Sequence, residues 1–382
     1  MLSSRRNFFR TLGVGAATTA AAHWPFAEFA RATPFEPART QDAHGAVRLN
    51  SNENPYGPPP QTMAVIRSAI ASANRYPFMD YEPLGQKIAD FHHVKPEQVV
   101  FGCGSSEILR VAAFAFLGPG KRLIQPSPTF EAMDHYAHGV GAEVISVPLT
   151  KTFAHDLEAM LSHADGSGGL IYICNPNNPT ASLTPRQHLE TLISKLPASY
   201  YVLIDEAYHH FAGESGMYKS FIDQPVPDER VIVSRTFSKI YGMAGLRLGY
   251  SIATPATAKR LETLLTSDGV NGIVSKAAMA ALDDSDSVRL FVKRNADTRQ
   301  EFFNQATARM VKPIDSHTNF VMMNTYHPAE EIIEKFHKQN VLIGRRFPPM
   351  DTYIRVSLGT PEEMKAFWQA WDTLHLDMPM GH

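Results

Sequence analysis

From Gln98 onward, short apolar runs alternate with helical patterns, and that alternation restricts the fold more than any other feature of the chain. Val99-Val100-Phe101, Arg122-Leu123-Ile124, Leu170-Ile171-Tyr172-Ile173, Tyr201-Val202-Leu203-Ile204 and Val231-Ile232-Val233 read as short buried strands. Between the first two, Ile108, Val111, Ala112, Ala115 and Phe116 recur at helical spacing. Strands that alternate with helices predict an α/β fold whose sheet is mostly parallel and flanked by helices. Each run is followed at once by polar or glycine-rich residues. Ligands collect outside the carboxyl ends of parallel strands, so five such ends point to one shared site. After about residue 275 the pattern changes to helices through 276–310, strands at 319–323, 341–343 and 353–357, and a closing helix over 361–374. This predicts a second, smaller α+β domain. We place the larger domain at 75–275 and the smaller at 56–74 with 276–382.

Of the 382 residues, 44% are hydrophobic, enough for a sizeable core. The formal net charge is −2 and no long basic run occurs, which argues against nucleic acid and anionic membranes as partners. The N-terminus has a separate logic. Ser4-Arg5-Arg6-Asn7-Phe8-Phe9-Arg10 is a twin-arginine sequence, a small-residue apolar stretch follows over 12–22, and Ala30-Arg31-Ala32 has the form of a signal-peptidase site. Residues 1–32 resemble a Tat export signal. A periplasmic location, the Tat machinery as a partner and no membrane span after processing follow as expectations; with a non-functional signal the protein would stay cytoplasmic. Residues 33–55 then form an N-terminal arm. The two cysteines, Cys103 and Cys174, flank apolar runs and are expected to be buried free thiols. The sixteen histidines include His92-His93 and His209-His210, but no spacing matches a metal site.

Several segments carry chemistry. Lys239 lies just beyond the run 231–233, and Arg247 stands eight residues later across a glycine-rich turn. A lysine so placed can condense with an aldehyde cofactor, and the arginine and nearby hydroxyls can hold a phosphate. Most lysines, however, are solvated surface charges. Asp205 closes the strand 201–204 and Tyr208 follows three residues on. A carboxylate there can keep a pyridinium nitrogen protonated, or it can simply cap a helix. Asn175-Pro176-Asn177-Asn178-Pro179-Thr180 is a proline-pinned turn that can aim Asn178 at a ligand. Ser105 and Ser106 open a helix, where backbone N–H groups favour a phosphate. Phe130 can stack on a planar ring or fill the core.

Taken together, the chain resembles the fold-type I pyridoxal-phosphate aminotransferases, and within them the histidinol-phosphate aminotransferase branch. The motifs run in order from Leu49-Asn50-Ser51-Asn52-Glu53-Asn54-Pro55-Tyr56-Gly57-Pro58 through Arg75-Tyr76-Pro77, the serine loop, the asparagine–proline turn, Asp205-Glu206-Ala207-Tyr208 and the Ser238-Lys239 segment to Ile354-Arg355-Val356-Ser357-Leu358-Gly359-Thr360. The resemblance implies pyridoxal 5'-phosphate as cofactor and transamination from an amino acid or amine, histidinol-phosphate-like or aromatic, to a 2-oxo acid such as 2-oxoglutarate. It implies Lys239 as the cofactor's attachment point and proton carrier. Asp205 would face the pyridine nitrogen, Tyr208 and Asn178 the phenolic oxygen, and Phe130 the ring. Ser105, Ser106, Thr236, Ser238 and Arg247 would hold the phosphate. Tyr76 would reach that phosphate from the other subunit of a homodimer. Arg355, Arg345 and Asn54 would serve the substrate.

The chain departs from the branch in four places. The arm reads Thr33-Pro34-Phe35-Glu36-Pro37 where a tyrosine is usual, Ala181 replaces a glycine, Asp268-Gly269-Val270-Asn271 replaces a Pro-Tyr-Asn type sequence, and Arg346 is extra. The competing readings are decarboxylase, lyase or oxidase chemistry with the same cofactor, and a non-catalytic binding protein.

Overall fold

The computed structural model describes residues 45–213 and 215–376. The proposed signal and Phe35 lie outside them. Among the described residues twelve strands occur: β1 (Val47–Leu49), β2 (Val99–Gly102), β3 (Arg122–Ser127), β4 (Glu143–Pro148), β5 (Gly169–Cys174), β6 (Tyr200–Asp205), β7 (Val231–Thr236), β8 (Gly249–Ile252), β9 (Lys312–Pro313), β10 (Phe320–Asn324), β11 (Val341–Ile343) and β12 (Tyr353–Ser357). The central sheet has the order β2-β8-β7-β6-β5-β3-β4. Strands β3 to β7 pair in parallel, whereas β8 pairs antiparallel with both β2 and β7. Only β8 is reversed, so the sheet is mostly parallel, as the alternation of elements predicts.

The sheet is covered on both faces, which explains why its inner strands read as unbroken apolar runs. All six residues of β5 and all six of β7 are buried. Alternation along each strand divides them between two cores. Ile171, Ile173, Val202, Ile204 and Val233 pack with residues of helices Phe78–His92, Arg186–Lys195 and Gly272–Asp283. Leu170, Tyr172, Leu203 and Ile232 pack with residues of helices Ser105–Phe116, Ala132–Gly139 and Pro255–Glu262.

A third core lies around the antiparallel sheet β12-β10-β9. Val321, Met323, Ile354 and Val356 meet Phe302, Phe336, Phe367 and Trp368 there, contributed by helices Ser285–Ala308, Ala329–Lys338 and Pro361–Asp372. Strand β1 pairs in parallel with β11, and Leu49 is fully buried in this third core. The chain thereby returns its N-terminal segment to elements nearly 300 residues later, and this places residues 50–53 beside β12.

Four strands are not evident in the sequence, among them β1 and β9, of only three and two residues. Strand β4 is an edge strand with a mixed exposure pattern, and β8 holds Gly249 and Ser251 among only two large apolar residues. Burial of the cysteines also differs from expectation. Cys174 is buried, but Cys103 is exposed, because it sits past the end of β2 in the turn that leads into helix Ser105–Phe116.

Candidate active site

The ends of β2, β3, β5, β6 and β7 open into one cavity of about 360 Å³. Its lining includes Ser105, Ser106, Phe130, Asn178, Asp205, Tyr208, Thr236, Ser238, Lys239, Arg247, Arg345 and Arg355. The asparagine-rich segment contributes Ser51, Asn52 and Glu53.

One end of the cavity is a close-packed anion cradle. Gly104 adopts φ +77°, and a Cβ there would lie 2.1 Å from Nη2 of Arg247. A Cβ on Gly249 would lie 2.1 Å from the Ser105 amide nitrogen. Two glycines thus let the start of helix Ser105–Phe116, strand β8 and the Arg247 guanidinium share one small volume. Arg247 is itself left-handed, at φ +62°. Its Nη1 donates to the Ala244 carbonyl at 2.8 Å and reaches the Ser238 hydroxyl at 3.4 Å. The Thr236 hydroxyl donates to Ser238 Oγ at 3.0 Å and accepts from the Ser238 amide at 3.1 Å. A helix N-terminus, four hydroxyl-bearing side chains (Ser105, Ser106, Thr236 and Ser238) and a fixed arginine make a phosphate-type site.

At the end of β6, Asp205 is buried and accepts from the Tyr172 hydroxyl at 3.0 Å, the Ser234 hydroxyl at 3.1 Å and the Ala207 amide at 3.2 Å. Burial pushes its carboxyl above the usual range; these donors and the Lys239 charge oppose that push. Such an arrangement fixes both oxygens, and a cation placed beside them would stabilise their charge further. Glu206, the next residue, belongs to a separate buried group with Arg235 and Ser220.

Lys239 follows β7 and donates to the Asn52 carbonyl at 3.1 Å. Its Nζ lies 5.6 Å from the Tyr208 ring centroid. Burial lowers the amine to about 8, with Arg355 and Arg247 adding to the shift and Glu53 and Asp205 opposing it. The lysine therefore gives up its proton far more readily than an ordinary lysine, as a nucleophile or proton carrier requires. Asn52 adopts φ +54°, a conformation asparagine tolerates, and its Nδ2 donates to the Tyr208 hydroxyl at 3.1 Å.

Arg355 projects from β12. Its Nη1 donates to Asn178 Oδ1 at 2.7 Å and its Nη2 to the Asn50 carbonyl at 2.9 Å. Burial lowers it to about 10, and the neighbouring Arg345 adds to that. It remains a cation, and its buried Nε has no partner among the described residues.

Two sequence candidates stand apart from the cavity. Asn54 spends its amide on the Ile240 carbonyl at 2.8 Å, so it anchors the segment behind Lys239 rather than facing a substrate. Tyr76 is 75% exposed and stacks on Phe78 at 5.5 Å. Conversely, Asn52, Glu53, Thr129, Glu131 and Phe347 line the cavity without having been singled out in the sequence. Asn52 lay inside a motif already noted; nothing in the local sequence marks Glu131 or Phe347. Arg346, beside Arg345, is turned to Asp351 and Glu330.

The comparisons with known proteins agree with this geometry. Residues 45–370 match the family Aminotransferase class I and II. The chain belongs to that family. A histidinol-phosphate aminotransferase of Symbiobacterium thermophilum is 36% identical over 332 residues, 86% of this chain and 90% of the relative. One from Caldicellulosiruptor saccharolyticus is 33% identical over 335 residues, 85% of this chain and 90% of the relative. Among solved structures, the Sinorhizobium meliloti histidinol-phosphate aminotransferase in complex with pyridoxal-5'-phosphate superposes with a TM-score of 0.80 at 26% identity, covering 86% of this chain and 91% of that one. Two departures from the histidinol-phosphate branch can be placed in this aminotransferase. Ala181 holds φ +62°, the conformation for which glycine is suited. Asn271 caps helix Gly272–Asp283 by accepting from Val274 N at 2.9 Å, and its Nδ2 donates to the Leu246 carbonyl beside Arg247.

Proposed function

We propose that this aminotransferase uses pyridoxal 5'-phosphate to move an amino group from an amino acid or amine to a 2-oxo acid such as 2-oxoglutarate. The observation that carries the reading is one cavity holding a lysine whose proton is loosened to about 8, a buried carboxylate and an anion cradle together. The residues fit the cofactor: the cradle formed around Gly104 suits its phosphate, and the buried Asp205, in no salt bridge among the described residues, suits a protonated ring nitrogen.

When bound, the cofactor supplies an electrophilic aldehyde and an electron-withdrawing ring. Lys239 would anchor it. Once released by the incoming amine, the Lys239 amine would carry a proton away from the substrate's Cα. Asp205, oriented by Tyr172 and Ser234, would keep the ring nitrogen protonated. Ser105, Ser106, Thr236, Ser238 and Arg247 would hold the phosphate. Tyr208 and Asn178 would donate to the phenolic oxygen; Asn178 has its Oδ1 engaged by Arg355, which leaves its NH2 to donate. Phe130 would stack on the ring, and Arg355 would bind the substrate's carboxylate in a bidentate fork. A donor of the histidinol-phosphate type is supported by the relatives and by Arg345 at the cavity, with aromatic amino acids as the second class.

The test follows amino donors and 2-oxo acids in separate half-reactions on protein lacking residues 1–32. Keto product formed without oxygen uptake or carbon dioxide release supports the reading; either gas signal overturns it in favour of oxidase or decarboxylase chemistry. We further propose Tat export to the periplasm, supported by the twin arginines. Replacing Arg5 and Arg6 with lysine should retain the protein in the cytoplasm. A homodimer with Tyr76 reaching the partner's site is supported by the exposure of that side chain. A monomer in sedimentation would overturn it.

A further inference from the structure

Glu131 follows Phe130 and lines the same cavity as Arg345, Phe347 and Arg355. It forms an ion pair with Arg345 Nη2. The two arginines share Phe347, with Arg345 Cζ 4.4 Å and Arg355 Cζ 4.6 Å from its ring centroid. Glu131 also acts on Arg355 through space, opposing the shift that Arg345 causes. The pair is open, with side-chain exposures of 54% for Arg345 and 65% for Glu131. The buried Arg235–Glu206 pair, at 4% and 1%, is by contrast tied down by Ser220 and the Phe221 amide. An exposed single pair is weak and exchanges readily with an incoming ion.

Resting on the transaminase reading, we propose that Glu131 is a specificity-determining residue, a resident counter-ion of Arg345 that lets one cavity receive distal groups of opposite charge. A transaminase must seat a donor and an acceptor in turn. Arg355 would hold the group the substrates share, so their difference falls on Glu131 and Arg345. A distal carboxylate takes Arg345 and displaces Glu131. A distal ammonium takes Glu131 and displaces Arg345. An uncharged chain leaves the pair closed.

The experiment measures half-reaction kinetics with glutamate, lysine and norleucine, the last being the uncharged counterpart of lysine. In Glu131→Gln, KM for glutamate should fall and KM for lysine should rise, each by about three- to fivefold, since an exposed pair is worth up to about one kcal/mol. Norleucine should be unmoved, Glu131→Asp should keep the wild-type order, and salt should shrink both shifts. A purely structural role for Glu131 would move all three constants together, and that result overturns the proposal. So does a wild-type protein that does not react with lysine, or a glutamate constant that Glu131→Gln leaves unchanged. In each of those cases, transfer from the other donors leaves the transaminase reading standing. Absence of amino transfer from all three overturns the transaminase reading, and the proposal with it.

Discussion

Lys239 has chemistry set by its surroundings more than by its identity. The amine sits at about 8 because burial and two arginines disfavour its charge. In protein freed of cofactor, the rate of pyridoxal-phosphate uptake should therefore rise as pH passes about 8, measured by stopped-flow absorbance, and level off above it. Lys239→Ala should reduce amino transfer by about 10²- to 10⁴-fold, the usual contribution of a positioned proton carrier. Tyr172→Phe removes one of three donors to Asp205. Hydrogen bonds to a charged group contribute about 1.5–3 kcal/mol, so cofactor affinity should fall by roughly tenfold or more in an absorbance titration. Lys239, Asp205 and Arg355 were legible in the sequence because each closes or occupies a strand-like run beside a recognisable motif. Glu131 and Phe347 were not, because their importance comes from meeting Arg345 in the folded cavity, and no local pattern encodes that.

At the scale of elements, turns and caps position the chemistry. Gly104→Ala would push against the Arg247 guanidinium and strain a φ of +77°. It should weaken phosphate and cofactor binding, read by equilibrium dialysis, more than it lowers thermal stability. The closing helix Pro361–Asp372 begins with a capping box, in which the Thr360 amide donates to Glu363 Oε2 at 2.7 Å and the Glu363 amide to Thr360 Oγ1 at 3.3 Å. Thr360→Ala should lower stability by about 1 kcal/mol in urea unfolding, leaving amino transfer intact. That helix, strands β2, β3, β5, β6 and β7 and the last three strands were evident from apolar periodicity. Strands β4 and β8 were not: an edge strand needs only half its residues buried, and β8 is held by its neighbours on both sides rather than by its own apolar content.

For the whole molecule, acid should be the weak point. His92 is buried and His209 and His210 are half-buried near Arg235, and desolvation together with that charge holds all three below the usual histidine range, His92 and His210 to about 3. They are neutral in the fold, whereas an unfolded chain protonates them near 6.5. Unfolding therefore takes up protons below that value, and the stability these neutral histidines retain above pH 6.5 is lost as pH falls toward about 3. Urea midpoints measured between pH 8 and 4 should fall steadily below 6.5; a midpoint constant across that range would refute the claim. The sequence alone determined the α/β alternation, the mostly parallel sheet and the identity of the residues at its strand ends, because periodicity and turn chemistry are local properties. Only the tertiary structure decided that β1 returns to β11 and carries Asn52 to Tyr208 and Lys239, and that Glu131 meets Arg345 from 214 residues away. Those contacts join segments far apart in the chain, and their geometry exists only once the three cores have packed.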